Sequence, residues 1–181
     1  MGRVLIQNLE LLSSGKSIRK DQDLKGEVDQ LQLDANSIPE LSWREKQHVH
    51  AVKFMSEGRM PEASHIWEQI LLKHPNDLLA LKLANDSYFF LGRAIEIRDN
   101  IARILPAQNP NMQLYGHLKG MYAFGLEECN QYRLAESSAR EALSYCFEDC
   151  WASHALAHVM EMEGRQDEGI IFMESTENHW A

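Results

Sequence analysis

Apolar residues recur along this chain at helical spacing almost from end to end, and no stretch alternates in the manner of a strand. Leu5, Leu9 and Leu12 share one face of a first segment, Gly2 to Ser14, which Ser13-Ser14-Gly15 interrupts. Leu24, Val28 and Leu31 do the same from Ile18 to Asp34. A short linker with Pro39 follows, too short to separate two cores. Ser42 then precedes an apolar run and Glu45 stands three residues on, the spacing at which a hydroxyl and a carboxylate cap each other's backbone. That helix is predicted to reach about Ser56. Glu57-Gly58-Arg59 breaks it, because Gly58 can take a positive φ. Pro61 suits the first turn of the next helix, which lines up Ile66, Ile70 and Leu71. His74 closes this helix and Pro75 stops it.

The pattern then repeats. Gly58 and Gly92 are 34 residues apart, as are Asn130 and Gly164, while Gly92 to Asn130 is 38. The four extra residues fall in the connector Leu105–Met112, where Pro106 and Pro110 forbid continuous helix. Small residues hold register with the turns: Ala51 and Ala63 in the first unit, Ala123, Ala135 and Ala142 in the third, Ala157 and Gly169 in the fourth. The second is weaker, with Asn85 and Ile97 in those places. Thirty-four residues is the period of the tetratricopeptide repeat (TPR), a helix–turn–helix unit that stacks on its neighbours. The expected fold is an all-α, right-handed α-solenoid of antiparallel helical hairpins. It comprises an N-terminal hairpin over 1–35 and four repeats over 42–75, 76–109, 112–147 and 148–178, in one continuous domain.

The stretches LSWREKQHVHAV, ASHIWEQILLKHPNDLLALK and ALAHVMEMEG resemble the tetratricopeptide repeat protein 38 family. The similarity covers nearly the whole chain and is weakest before Ser37. Members of that family are longer, so the resemblance implies a partial or truncated member. It also implies an all-α repeat protein with no assigned enzymatic activity. In TPR proteins the first helix of each hairpin lines a concave groove. The family pattern, counted back from each turn residue, places His48, Asp86, Phe89, His117, Phe124, Trp151, His154 and His158 on that groove. Exposed rigid aromatics there would act as contact anchors; the competing assignment packs some of them as core. The Lys, Asn and Arg clamp by which some TPR domains hold a chaperone's C-terminal carboxylate has no counterpart, since the matching positions are His48, Val52, Leu83, His117 and Met121.

His154 and His158, four apart on one helix face, have a spacing that can hold zinc, with Glu161 one turn on as a third ligand and His117 as a fourth. Such a centre is the alternative reading, with hydrolysis as the chemistry it would support. Ala155 stands where a metalloprotease carries its general base. The bland assignment is two histidines that hydrogen-bond locally. There is no nucleophile elbow, phosphate-binding loop or dinucleotide fingerprint, so an enzyme is not expected and no cofactor is assigned.

Composition narrows the partner. The 181 residues hold 18 Lys and Arg against 27 Asp and Glu, a formal net charge of −9, which argues against a nucleic-acid surface and against acidic lipids. The three cysteines, Cys129, Cys146 and Cys150, give no disulfide framework and suit a reducing compartment. With neither a signal peptide nor a long apolar segment in view, the expected setting is cytoplasmic. Protein or peptide binding in the groove is therefore the expected function. A third reading is self-association through bare ends. Ile170, Ile171, Phe172, Met173 and Trp180 lie in the last element, and Leu5, Ile6, Leu9, Leu11 and Leu12 surround the first helix.

Overall fold

The structure is a computed structural model and describes residues 1–179. Ten α-helices run through the described residues, which contain no strand: α1 (Gly2–Ser14), α2 (Gln22–Ser37), α3 (Trp43–Ser56), α4 (Met60–Lys73), α5 (Leu78–Phe90), α6 (Ala94–Ile104), α7 (Tyr115–Glu128), α8 (Tyr132–Tyr145), α9 (Cys150–Met162) and α10 (Gln166–Thr176). The all-α class and the hairpin repeat are as expected. The chain forms two compact units, residues 1–91 with α1–α5 and residues 92–181 with α6–α10.

The turns are built as their spacing demanded. Gly58, Gly92 and Gly164 have φ of 76°, 66° and 73°, and Asn130 has φ 58°, the one non-glycine in that region among the described residues. Asparagine tolerates this left-handed conformation better than most residues. In unit 1 the Ser42–Glu45 capping box is complete. Pro61 sits at the start of α4, and His74 ends it with its N–H on the Ile70 carbonyl at 2.8 Å.

Unit 1 is centred on α3, against which α1, α2 and α4 all pack, and α5 packs on α4. Its core holds Ala51, Val52, Trp67, Ile70 and Leu81, all essentially without exposed surface. In α1 the observed inward face differs from the expected one. Val4, Gln7, Asn8 and Leu11 are buried, whereas Leu5, Ile6 and Leu9 are exposed. This helix is apolar on several sides, so periodicity alone does not select the face that meets α3. Leu24, Val28 and Leu31 of α2 are buried as expected, although the helix starts at Gln22. Asp21 sets that start by accepting the Leu24 N–H at 2.9 Å.

Unit 2 is centred on α7, which packs against α6, α8 and α9. Three glycines permit this. A Cβ on Gly116 would lie 2.8 Å from Tyr145 Cβ, one on Gly120 2.5 Å from Asp149 Oδ2, and one on Gly125 2.7 Å from Arg98 Cα in the α6 backbone. The connector before α7 opens with a 3₁₀ turn at Leu105–Ala107, and α7 starts only at Tyr115. At the other end α10 stops at Thr176 and a 3₁₀ turn covers Glu177–His179. Trp180 lies outside the described residues.

Candidate functional site

The expected groove residues of unit 2 come together along α7 and α9. The start of α9 is fixed by Asp149, whose Oδ1 accepts the N–H groups of Trp151 (3.0 Å) and Ala152 (3.2 Å). Asp149 is buried against Gly120, and His117 Nδ1 lies 3.2 Å from its Oδ2. A fixed first turn aims Trp151 outward, and the ring remains 41% exposed. Trp151 meets Phe124 at a tilt of 58°, with 5.2 Å between centroids, and meets His154 edge-on at 5.9 Å. His154 in turn faces Phe124 at 6.0 Å and His158 at 4.4 Å. A continuous strip of rings therefore runs Phe124–Trp151–His154–His158, bordered by Glu127, whose Oε1 is 3.8 Å from His158 Nδ1.

The electrostatics of this strip follow from burial. Glu127 is 7% exposed. Burial pushes its carboxyl above the ordinary range; the His158 charge opposes that shift and Glu128 adds to it. Burial also lowers the His154 imidazole, and the neighbouring charge of His158 lowers it further, against a smaller opposing pull from Glu128. The strip thus disfavours a positive charge on His154. Phe124 is itself buried, so it backs the strip while Trp151 and His154 are its exposed rings.

In unit 1 the expected residues divide. Phe89 and Phe90 are exposed and pack edge to face at 5.6 Å. Asp86 is paired with Lys82 one turn earlier. His48 is different: it has no exposed surface, which removes it from any contact face. Its Nε2 is 3.0 Å from Asp77 Oδ2, and Asp77 Oδ1 accepts the Ala80 N–H at 3.0 Å as the cap of α5. Arg44 Nη1 stands 3.5 Å from the same carboxylate. Burial alone would raise the Asp77 carboxyl, but the His48 and Ala80 hydrogen bonds, with the His48 and Arg44 charges, hold it below the ordinary value.

Among the described residues no three His, Cys, Asp or Glu side chains are grouped as metal ligands. His154 and His158 are adjacent, while Glu161 lines a separate cleft between α9 and α10 with Ala157 and Gly169. The sequence reading missed Asp77 and Asp149 as positioning groups. The available signal was an Asp directly before an apolar helical run, the N-cap pattern, at both places. Gly120, a glycine in a helix interior, pointed to a close approach there.

No known protein-family profile matches the chain. Among solved structures, "MamA MSR-1 C2" superposes with a TM-score of 0.61 at 13% identity, covering 97% of this chain and 94% of that one. "MamA AMB-1 C2221" gives 0.59 at 14% identity, covering 98% and 99%. The fold is that of a TPR-like helical repeat. At these identities the likeness extends to the fold and no further. Among the described residues no helix is long and apolar enough to cross a membrane.

Proposed function

We propose that the chain is a non-catalytic binding scaffold that holds a protein or peptide against the first-helix faces of its repeats. The observation that carries this reading is the ring strip of unit 2. Trp151 keeps 41% of its surface open although Phe124, His154 and a capped helix start hold it rigidly. A fixed, half-open tryptophan costs little entropy to bury, which is the property of an interface anchor. Phe89, 48% exposed on unit 1, is the second anchor. His154, His158 and His117 supply polar contacts, and Asp86 an acidic one. The TPR-like fold is compatible with this role, and the stretches that resemble the tetratricopeptide repeat protein 38 family support a relationship to it. A cytoplasmic setting belongs to the same proposal and rests on three free cysteines.

The test compares partners captured from cell extract by wild type and by Phe89→Ala and Trp151→Ala, followed by titration of the recovered partner. Each truncation is expected to weaken binding by about 2 kcal/mol or more with little change in melting temperature. Equal capture by wild type and both variants, or a steep fall in thermal stability, would remove these residues from the binding face.

A further inference from the structure

Glu127 stands on α7 one turn after Phe124, and its carboxylate faces α9, where Oε1 is 3.8 Å from His158 Nδ1. That separation is too long for a hydrogen bond. The side chain is buried, and its Oε2 has no hydrogen-bond partner. Among the described residues no Lys or Arg is paired with it, and the charges that act on its carboxyl are those of His158 and Glu128. A buried carboxylate oxygen without a donor is costly, and nearly all such atoms in folded proteins are satisfied. This one lies at the border of the ring strip. The rings limit what could satisfy it. Phe124, Trp151 and His154 touch one another, with centroids 5.2, 5.9 and 6.0 Å apart and planes inclined by 58°, 74° and 51°. Such spacing leaves no chamber between them for a bulky ammonium, but it offers ring surface on which a flat group can lie. Burial and the His158 charge hold His154 toward its neutral form, so it adds ring surface without adding a cation.

We infer that the ring strip takes an arginine side chain of the partner, its guanidinium lying against the exposed Trp151 and His154 rings and donating to the Glu127 carboxylate. The inference rests on the scaffold reading above and names the group which that surface selects. Three properties favour arginine. Its guanidinium is planar and stacks on aromatic faces. It carries several donors in a fork that matches a carboxylate. It is also more weakly hydrated than a lysine ammonium, so it loses less on entering a half-buried site. The long stem lets its donors reach below the surface. His158, with 43% of its side chain exposed and no hydrogen bond to Glu127, is the group that an incoming donor displaces. Exposed Glu128 adds a further acid next to Glu127, and the formal net charge of −9 favours a basic partner.

The probe is a blocked pentapeptide, acetyl-Gly-Ala-Arg-Ala-Gly-amide, titrated into the full chain and followed by NMR at the Trp151 indole N–H. Two further peptides carry citrulline, the neutral isostere of arginine, or lysine at the centre. Saturable binding of the arginine peptide is expected, with a Kd of about 1 mM, as suits one anchored side chain. Citrulline should weaken it about tenfold or more, because the charge-assisted hydrogen bond to Glu127 is lost. Glu127→Gln, which keeps the shape and removes the charge, should bring the arginine peptide down to the citrulline level, with an unchanged melting temperature verifying the fold. The citrulline comparison needs no variant, so it decides the matter even if Glu127→Gln fails to fold. The inference is overturned if citrulline binds as tightly as arginine, if folded Glu127→Gln binds arginine as wild type does, or if nothing saturates by about 10 mM. A lysine peptide equal to the arginine one overturns the choice of guanidinium. Equal binding of arginine and citrulline, with partner capture still lost in Trp151→Ala, would sink this inference and leave the scaffold reading standing.

Discussion

Two aspartates, one in each unit, carry a disproportionate share of the local order. Asp77 and Asp149 are both buried, both cap the first helix of a repeat, and both are approached by a histidine from an earlier helix. The sequence reading assigned His48 to a contact face; with no exposed surface it holds the cap of α5 instead. For His48 the consequence is measurable. Replacing it by Ala strands a buried carboxylate and should destabilise unit 1 by about 2–4 kcal/mol in a urea titration. Asp77→Asn should cost less, since an amide keeps the shape. The folded Asp77 carboxyl lies below its ordinary value. Its contribution is therefore fully present above the unfolded value of about 3.9 and disappears as pH falls through the lower folded value. The difference in stability between wild type and Asp77→Asn should shrink below about pH 4. An unchanged difference down to pH 2 would mean that the pairing does not lower that carboxyl.

At the scale of elements, what could be read from sequence was whatever local chemistry decides. The capping box at Ser42, the left-handed turns and the proline-bounded connector are set by residues within a few positions of one another. The inward face of α1 was not legible, because Leu5, Leu9 and Leu12 compete with Val4 and Leu11 and only contact with α3 chooses between them. Nor was the ring strip wholly legible: spacing put Phe124 and Trp151 near one face, but not which ring is covered. The central helix α7 offers a sharper test. A Cβ at Gly125 would meet backbone atoms of α6 at 2.7 and 2.8 Å, which cannot swing aside as a side chain can. Gly125→Ala should destabilise by about 1–3 kcal/mol or more, despite the usual gain from Gly to Ala within a helix. Gly26→Ala, in α2 with open space around it, should be neutral or stabilising. If the two substitutions behave alike in thermal melts, α7 and α6 are not in such close contact.

Ionic links between successive hairpins add a pH dependence of their own. Arg165, at the start of α10, holds Glu136 of α8 at 2.7 and 3.1 Å, and Arg140 joins them. These hydrogen bonds, Arg165 first, outweigh partial burial and pull the Glu136 carboxyl from 4.5 to about 2. Stability from this link should be complete above about pH 4.5 and drain away toward pH 2. Glu136→Gln should lose it at neutral pH and show a flatter acid limb. Because the network is partly exposed, added salt should reduce the difference.

For the whole chain, a repeat architecture makes stability approximately a sum of hairpin and nearest-neighbour terms, so protection should vary along the sequence. Helix α7 touches three other helices, and α9 is seated against α7, α8 and α10. By contrast α10 has no buried residue and rests on α9, with the short turn at Glu177–His179 beside it. Helix α1 buries Val4 and Leu11 together with two polar side chains, Gln7 and Asn8, and leaves Leu5, Ile6 and Leu9 open. Amide exchange follows such differences in local burial. The expected order is slowest exchange in α7 and in the middle of α9, and fastest in α10 and α1. This order also gives the ring strip a readout. A partner on the ring strip should slow exchange chiefly in the first turns of α9, where Trp151 is held, and leave α10 unchanged. Uniform slowing across all ten described helices on binding that partner would mean that unfolding is global at that stage, and that the repeats do not open one by one.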